Sequence, residues 1–155
     1  MIRNDGRGEH MGILSCSSSA STWRGFEYFE EKKVISWKQL DESQYEGIVS
    51  GTSSNFYHVK IDINQPRKNS FCNCPLANGK RIVCKHQIAL FFTVFPQEAE
   101  NYMQQIEEEE KEEIQREMVE YQNIEEYVNS LSKEELRTAL INALVEDYNQ
   151  LYYRG

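Results

Sequence analysis

Three of the chain's four cysteines fall within thirteen residues, and a histidine follows two positions after the last of them. The run reads Cys72-Asn73-Cys74-Pro75, then Cys84-Lys85-His86, with nine residues between Cys74 and Cys84. A disulfide framework spreads its cysteines along a short secreted chain, whereas these are bunched, and Cys72 and Cys74 are too close to pair comfortably. A structural zinc ion takes four tetrahedral ligands from thiolate sulfur and imidazole nitrogen. Cys72, Cys74, Cys84 and His86 satisfy that count, with no position left for water. In an extended segment, side chains two apart face the same side, so Cys72 and Cys74 can share one ion. On a helix, positions two apart diverge by about 200°. Cys84 is therefore expected in a non-helical turn, with His86 on the opening turn of the helix that follows.

Two other readings account for these residues less completely. Cys84 could be a nucleophile with His86 as its base, but that leaves Cys72 and Cys74 unexplained. Alternatively the cysteines cluster by chance and His86 is a core residue. His10 and His58 have no cysteine neighbours and are read as non-ligands. The chain has no phosphate loop, no paired serine–histidine motif and no open metal position, so an enzyme is not expected.

The segments around the cluster predict an α+β fold. Residues 1–20 are polar, rich in glycine and serine and unpatterned, and read as disordered or as a cloning remnant. Ile13-Leu14-Ser15-Cys16 weakly suggests a lipoprotein cleavage site, but no apolar stretch precedes it. Trp23, Phe26 and Phe29 recur near helical spacing and predict a short helix. Val34–Trp37 and Tyr45–Ser50 read as strands, followed by a turn at residues 51–55. Tyr57, Val59, Ile61 and Ile63 alternate with polar residues and make the best strand. Residues 65–69 interrupt it, and Ser70-Phe71-Cys72 can resume an antiparallel sheet. Gln87–Phe95 is apolar nearly all round and reads as a buried helix, which Pro96 stops or restarts.

From residue 97 the chain reads as helical and acidic. Residues 1–95 carry twelve Lys/Arg against nine Asp/Glu, net +3, and residues 96–155 carry five against sixteen, net −11. The run Glu107–Glu113 reads as a solvated helix face supported by Glu107–Lys111 and Glu112–Arg116 pairs at i,i+4. Ile114, Met118, Tyr121 and Val128 form a thin apolar stripe. Ser132 with Glu135 predicts a capping box for a last helix with Leu136, Leu140, Leu144, Tyr148 and Leu151 on one face.

The Cys-x-Cys pair, variable spacer and Cys-x-His pair resemble the SWIM-type zinc finger, and Cys72, Cys74, Cys84 and His86 match its signature residue by residue. Strands before the first pair, Pro75 after it and the apolar helix from Gln87 fit the same family. Arg24-Gly25-Phe26-Glu27-Tyr28 with Lys33-Val34, and Leu131–Leu136, are similar to the lead-in and helical extension of bacterial members. The resemblance spans roughly residues 20–150. It implies one structural Zn²⁺ and a role in contacting DNA or proteins, and supplies no reaction. The expected organisation is a small antiparallel sheet and buried helix joined by one zinc site in residues 21–96, then C-terminal helices as an acidic extension over 97–155.

Recognition of another protein, as an adaptor in a larger assembly, is the function this pattern favours. The alternative is DNA or RNA binding through basic residues near the ligands, namely Arg67, Lys68, Lys80, Arg81 and Lys85. The same cations can equally compensate the thiolates. Neither a small-molecule substrate nor a membrane partner is expected, since no stretch approaches the roughly 20 apolar residues a span needs. The expected location is cytoplasmic.

Overall fold

The computed structural model describes residues 11–153, and His10 lies outside them. The described residues divide into two units at the 104/105 boundary.

The first unit is built on a four-stranded antiparallel sheet in the order β1 (Val34–Gln39), β2 (Gln44–Ser50), β3 (Phe56–Asp62) and β4 (Phe71–Cys72). Each predicted strand is present: β1 and β2 are extended by two residues and one, β3 starts and ends one residue earlier than expected, and β4 is one residue shorter. Alternation puts Tyr45 and Val49 of β2 and Val59 and Ile61 of β3 on one buried face. Cys72 joins them because it pairs opposite Val59. The register of β1 shifts between Val34 and Ser36, a bulge at Ile35.

Preceding the sheet are α1 (Met11–Ser15) and α2 (Ser19–Glu30). Residues 11–20 are thus not the unstructured segment expected. Ile13 is wholly buried, and Ser17 forms a parallel bridge with Val83, next to Cys84. One apolar anchor in a five-residue helix is too short to register as periodicity. Ser18 caps α2, its hydroxyl accepting from the Ser21 N–H.

Between β3 and β4 lies the short helix α3 (Pro66–Asn69), and after β4 comes α4 (Lys85–Val94). Ile88, Ala89, Leu90, Phe91 and Phe92 have no exposed surface. That agrees with a helix apolar on every side, since α4 has the sheet against one face and α2 against another. Phe26, Phe29, Phe92 and Tyr102 meet at centroid distances of 5.5–6.2 Å. Pro96 restarts the helix, opening α5 (Pro96–Ser130). Ala99 is buried and Tyr102 packs on Phe26 and Phe92, which places the boundary between units beyond residue 96.

Asp62 organises the turn after β3. Its carboxylate is buried and accepts from the Asn64 and Gln65 N–H groups and from the Gln44 and Asn69 side-chain amides, at 2.9–3.1 Å. Burial raises its pKa, but the hydrogen bonds from Asn69, Gln65, Asn64 and Gln44 outweigh this and hold it below the ordinary value. The stability it contributes is present above about pH 3.9 and is lost as pH falls through the lower folded value. Asp62→Ala leaves these donors unpaired and is expected to cost about 2–3 kcal/mol at neutral pH by urea titration. An unchanged midpoint would mean that the turn holds itself.

The second unit comprises the distal part of α5 and α6 (Lys133–Tyr153). The expected capping box is present: the Ser132 N–H donates to Glu135 at 2.8 Å, and Ser132 Oγ accepts from the Glu135 N–H at 3.4 Å. Lys111 pairs with Glu107 at 3.9 Å. Arg116 does not form the expected pair with the Glu112 carboxylate, and its Nε donates to the Glu112 main-chain oxygen instead. Both apolar stripes are solvent-exposed. No helix among the described residues is long and apolar enough to cross a membrane.

Candidate metal centre

Four segments converge on the cluster. Cys72 ends β4, where pairing with Val59 points it at the core. Asn73 continues the sheet with its side chain, since the His58 N–H donates to Asn73 Oδ1 at 2.9 Å. That keeps the backbone extended and sets Cys72 and Cys74 on one side. Cys74 opens a turn in which its carbonyl accepts from the Ala77 and Asn78 N–H groups. Gly79 follows at φ +69°, a left-handed conformation that a residue without Cβ adopts at little cost. The chain then returns through Val83 to Cys84.

Cys84 is the N-cap of α4, with extended φ/ψ of −97°/170°, and His86 sits on the first turn. This is the arrangement expected from the two-residue spacing. Gln87, almost fully buried, closes the cap by accepting from the Cys84 N–H at 2.7 Å while its own N–H faces the Cys84 sulfur. Sulfur takes the place of the usual serine or threonine oxygen in a capping box. The signal was in the sequence, since Cys84-Lys85-His86-Gln87 has the box spacing.

The four ligand atoms lie within 4.8 Å of one another, and all four residues are buried. His86 Nδ1 is 3.7 Å from Cys72 Sγ and 3.8 Å from Cys84 Sγ. Bond lengths of about 2.3 Å to sulfur and 2.0–2.1 Å to nitrogen make the edges of a tetrahedron about 3.5–3.8 Å. The donor set and the spacing therefore fit one zinc ion. The hydrogen bond to Cys84 and burial both push the Cys72 thiol up. For Cys84 the same bond, helped by His86 and the Gln87 amide against the effect of burial, pulls the thiol below its ordinary value. Its place at the N-terminus of α4 favours the thiolate in the same direction. Cys16 and His58 stand outside the group.

Across residues 57–95 the chain matches the family model of the SWIM zinc finger. These residues are a SWIM zinc finger. No match was found among curated proteins or solved structures. The finger runs from β3 through α4 and contains all four candidate ligands, whereas β1, β2 and α2, which pack around it, lie outside the match.

Two residues that support the finger were missed in the sequence. His86 Nε2 is buried with no hydrogen-bond partner, although a metal-bound histidine usually donates through its second nitrogen. The ring is held instead by aromatic faces: Tyr57 lies 4.3 Å away at 31°, and Tyr28 meets it edge-on at 5.4 Å. Tyr57→Phe is expected to keep zinc affinity near its original value. Tyr57→Ala should lower it about 10–100-fold in a chelator competition, the range for a lost supporting partner. Equal affinities for both variants would remove Tyr57 from the site.

The five basic residues noted above come from three places. Arg67 and Lys68 are exposed on α3, and Lys80 and Arg81 are exposed in the loop before α4. Lys85 is half-buried, its Nζ 4.4 Å from the Tyr28 ring centroid. It is thus held in a cation–π contact beside the ligands, where it offsets the net −1 that three thiolates and Zn²⁺ leave.

Proposed function

We propose that the chain is a non-catalytic interaction adaptor, in which the SWIM zinc finger stabilises one folded unit and the C-terminal helices engage another protein. One observation carries this reading. From Glu107 to Tyr152 every side chain except Leu131 is exposed, including Ile114, Tyr121, Leu140, Leu144 and Tyr148. Helices in globular proteins draw most of their stability from burying an apolar face. Such faces left in water mark a binding surface. Crosslinking with mass spectrometric mapping on zinc-loaded protein in cell extract tests it. The adaptor reading expects crosslinks from residues 105–153 to one partner, lost in Leu140→Asp/Leu144→Asp. Crosslinks that persist in that variant would contradict it.

A second reading, an accessory nucleic-acid binder, is favoured by a groove on the outer face of the sheet. His58, Lys60 and Phe71 line a space of about 400 Å³ there, together with Lys38 in its ion pair to Glu46 at 2.8 Å. Basic and aromatic side chains interleave in it as single-strand binders require, which the five residues named from the sequence do not achieve. A titration with single-stranded DNA or RNA across salt concentrations separates the readings. Binding with a steep salt slope, lost in Lys60→Glu/Phe71→Ala, would favour the nucleic acid.

A further inference from the structure

The apolar face of α6 is electrically neutral, unlike the acidic region that carries it. At 100° per residue, the arc that holds Leu136, Leu140, Leu144, Tyr148 and Val145 covers about 180° of the helix. Lys133, Glu134, Arg137 and Asp147 also fall inside it, two cations and two anions. The remaining acids, Glu135 and Glu146, fall on the opposite side. The acidity lies on α5, with twelve Asp/Glu against two Lys/Arg, whereas α6 has four against two. None of the four charged side chains in the arc forms an ion pair among the described residues.

The apolar side chains of this arc are 37–77% exposed. They leave on the order of 900 Å² in water, against roughly 800 Å² for one side of a standard interface. Burying a face also buries its charges, and an unpaired buried charge is strongly unfavourable. A partner must therefore offer charges of both signs, ordered to match. Here Lys133 and Arg137 lie in the first two turns of the helix and Asp147 in its second half. A helix of the same sequence laid antiparallel has that order reversed, so the face complements itself. An anionic membrane surface would instead select a face rimmed with lysine and arginine.

We propose that α6 pairs antiparallel with α6 of a second copy, about a two-fold axis level with Asn142. Such an interface uses the same patch twice, and each copy needs only the face of this one helix. Leu140 comes level with Leu144 of the other copy, which closes an apolar centre. An axis of this kind sets each flank of the face against the same flank of the other copy. Lys133 and Asp147 share one flank. Across the pair they stand about 6 Å apart along the helix, a reach that the lysine stem covers. Arg137 and Tyr148 share the other flank, within about 1.5 Å of one level, where the guanidinium meets the ring. Glu134 lies towards the edge of the arc and keeps its water. A parallel pair would put Lys133 level with Lys133 and Asp147 level with Asp147. The pairing goes beyond the adaptor reading: it leaves the apolar stripe of α5 for another protein and presents that stripe twice per dimer.

Sedimentation velocity on the full zinc-loaded chain tests this, with zinc content measured for every variant. A dimer is expected in the micromolar range, and Leu140→Asp/Leu144→Asp should be monomeric with its zinc content unchanged. Lys133→Glu and Asp147→Lys should each raise the dimer dissociation constant about fivefold or more, since each sets like charges together twice per dimer. Lys133→Glu/Asp147→Lys should return it towards the original value. Glutamate at the start of α6 suits the helix dipole, so weaker pairing in Lys133→Glu does not come from a weaker helix. A chain that stays monomeric at about 100 µM overturns the pairing, as does a dimer that survives in Leu140→Asp/Leu144→Asp. A dimer that the single reversals leave unchanged, or that the double reversal does not restore, overturns the antiparallel order. These outcomes leave the adaptor reading standing, and a dimer whose α5 crosslinks to no other protein in extract overturns that reading alone.

Discussion

Replacing Cys84 by serine, or stripping zinc with a chelator, is expected to abolish the cooperative unfolding transition of the unit spanning residues 11–104. Cys84 has two structural roles. It is a candidate zinc ligand and also the N-cap of the central helix α4. Structural zinc contributes an apparent 10–16 kcal/mol in finger peptides, against roughly 5–15 kcal/mol of net stability for a whole domain. Serine can still cap the helix, so the loss isolates the metal contribution. Without the ion, three thiols and an imidazole remain buried in a core that includes Val59, Val83 and Ile88, polar groups whose burial costs free energy unless they are partnered. Circular dichroism melting should show no sharp transition for the zinc unit at 25 °C and above. The helical signal of the C-terminal unit, which carries none of these ligands, provides an internal control. A near-original transition in Cys84→Ser would contradict this account.

Gly25→Val is the second large effect expected. α2 and α4 pack closely, and a Cβ at Gly25 would come 2.5 Å from Ile88 Cβ and Cγ2 and 2.9 Å from the Lys85 carbonyl oxygen. Ile88 is wholly buried, and the carbonyl belongs to the first residue of α4, which carries His86 one position later. Neither can move without shifting the metal site. A single methyl already overpacks such a crossing by about 1–3 kcal/mol, and the branched side chain is expected to cost more than about 3 kcal/mol. Urea denaturation of the zinc-loaded variant checks this, and zinc affinity should fall with it. A change below about 1 kcal/mol would mean that the two helices can separate freely.

Much of this was legible in the sequence because two physical periods are strong there. Alternation at Tyr57, Val59, Ile61 and Ile63 fixes the face of β3, and Cys72 inherits that face through its register with Val59. The two-residue spacing of Cys84 and His86 forces the helix start between them, and α4 begins at Lys85. Less legible were features made by contacts distant in sequence. Ile13 reaches the core from a five-residue helix, and Tyr28 and Tyr57 clamp His86 from two elements. Asp62 acts through a turn whose donors are spread over residues 44–69. The acidic run in α5 is the solvated face that its charge pattern predicts. The exposure of the apolar stripes beside it is a tertiary fact that no helical wheel contains.

Zinc K-edge X-ray absorption on chain purified without added metal, together with its zinc stoichiometry, tests the central claim most directly. The expected result is one zinc per chain with three sulfur neighbours and one nitrogen neighbour. Absence of stoichiometric zinc, or a shell in which oxygen replaces one of those four atoms, would contradict it.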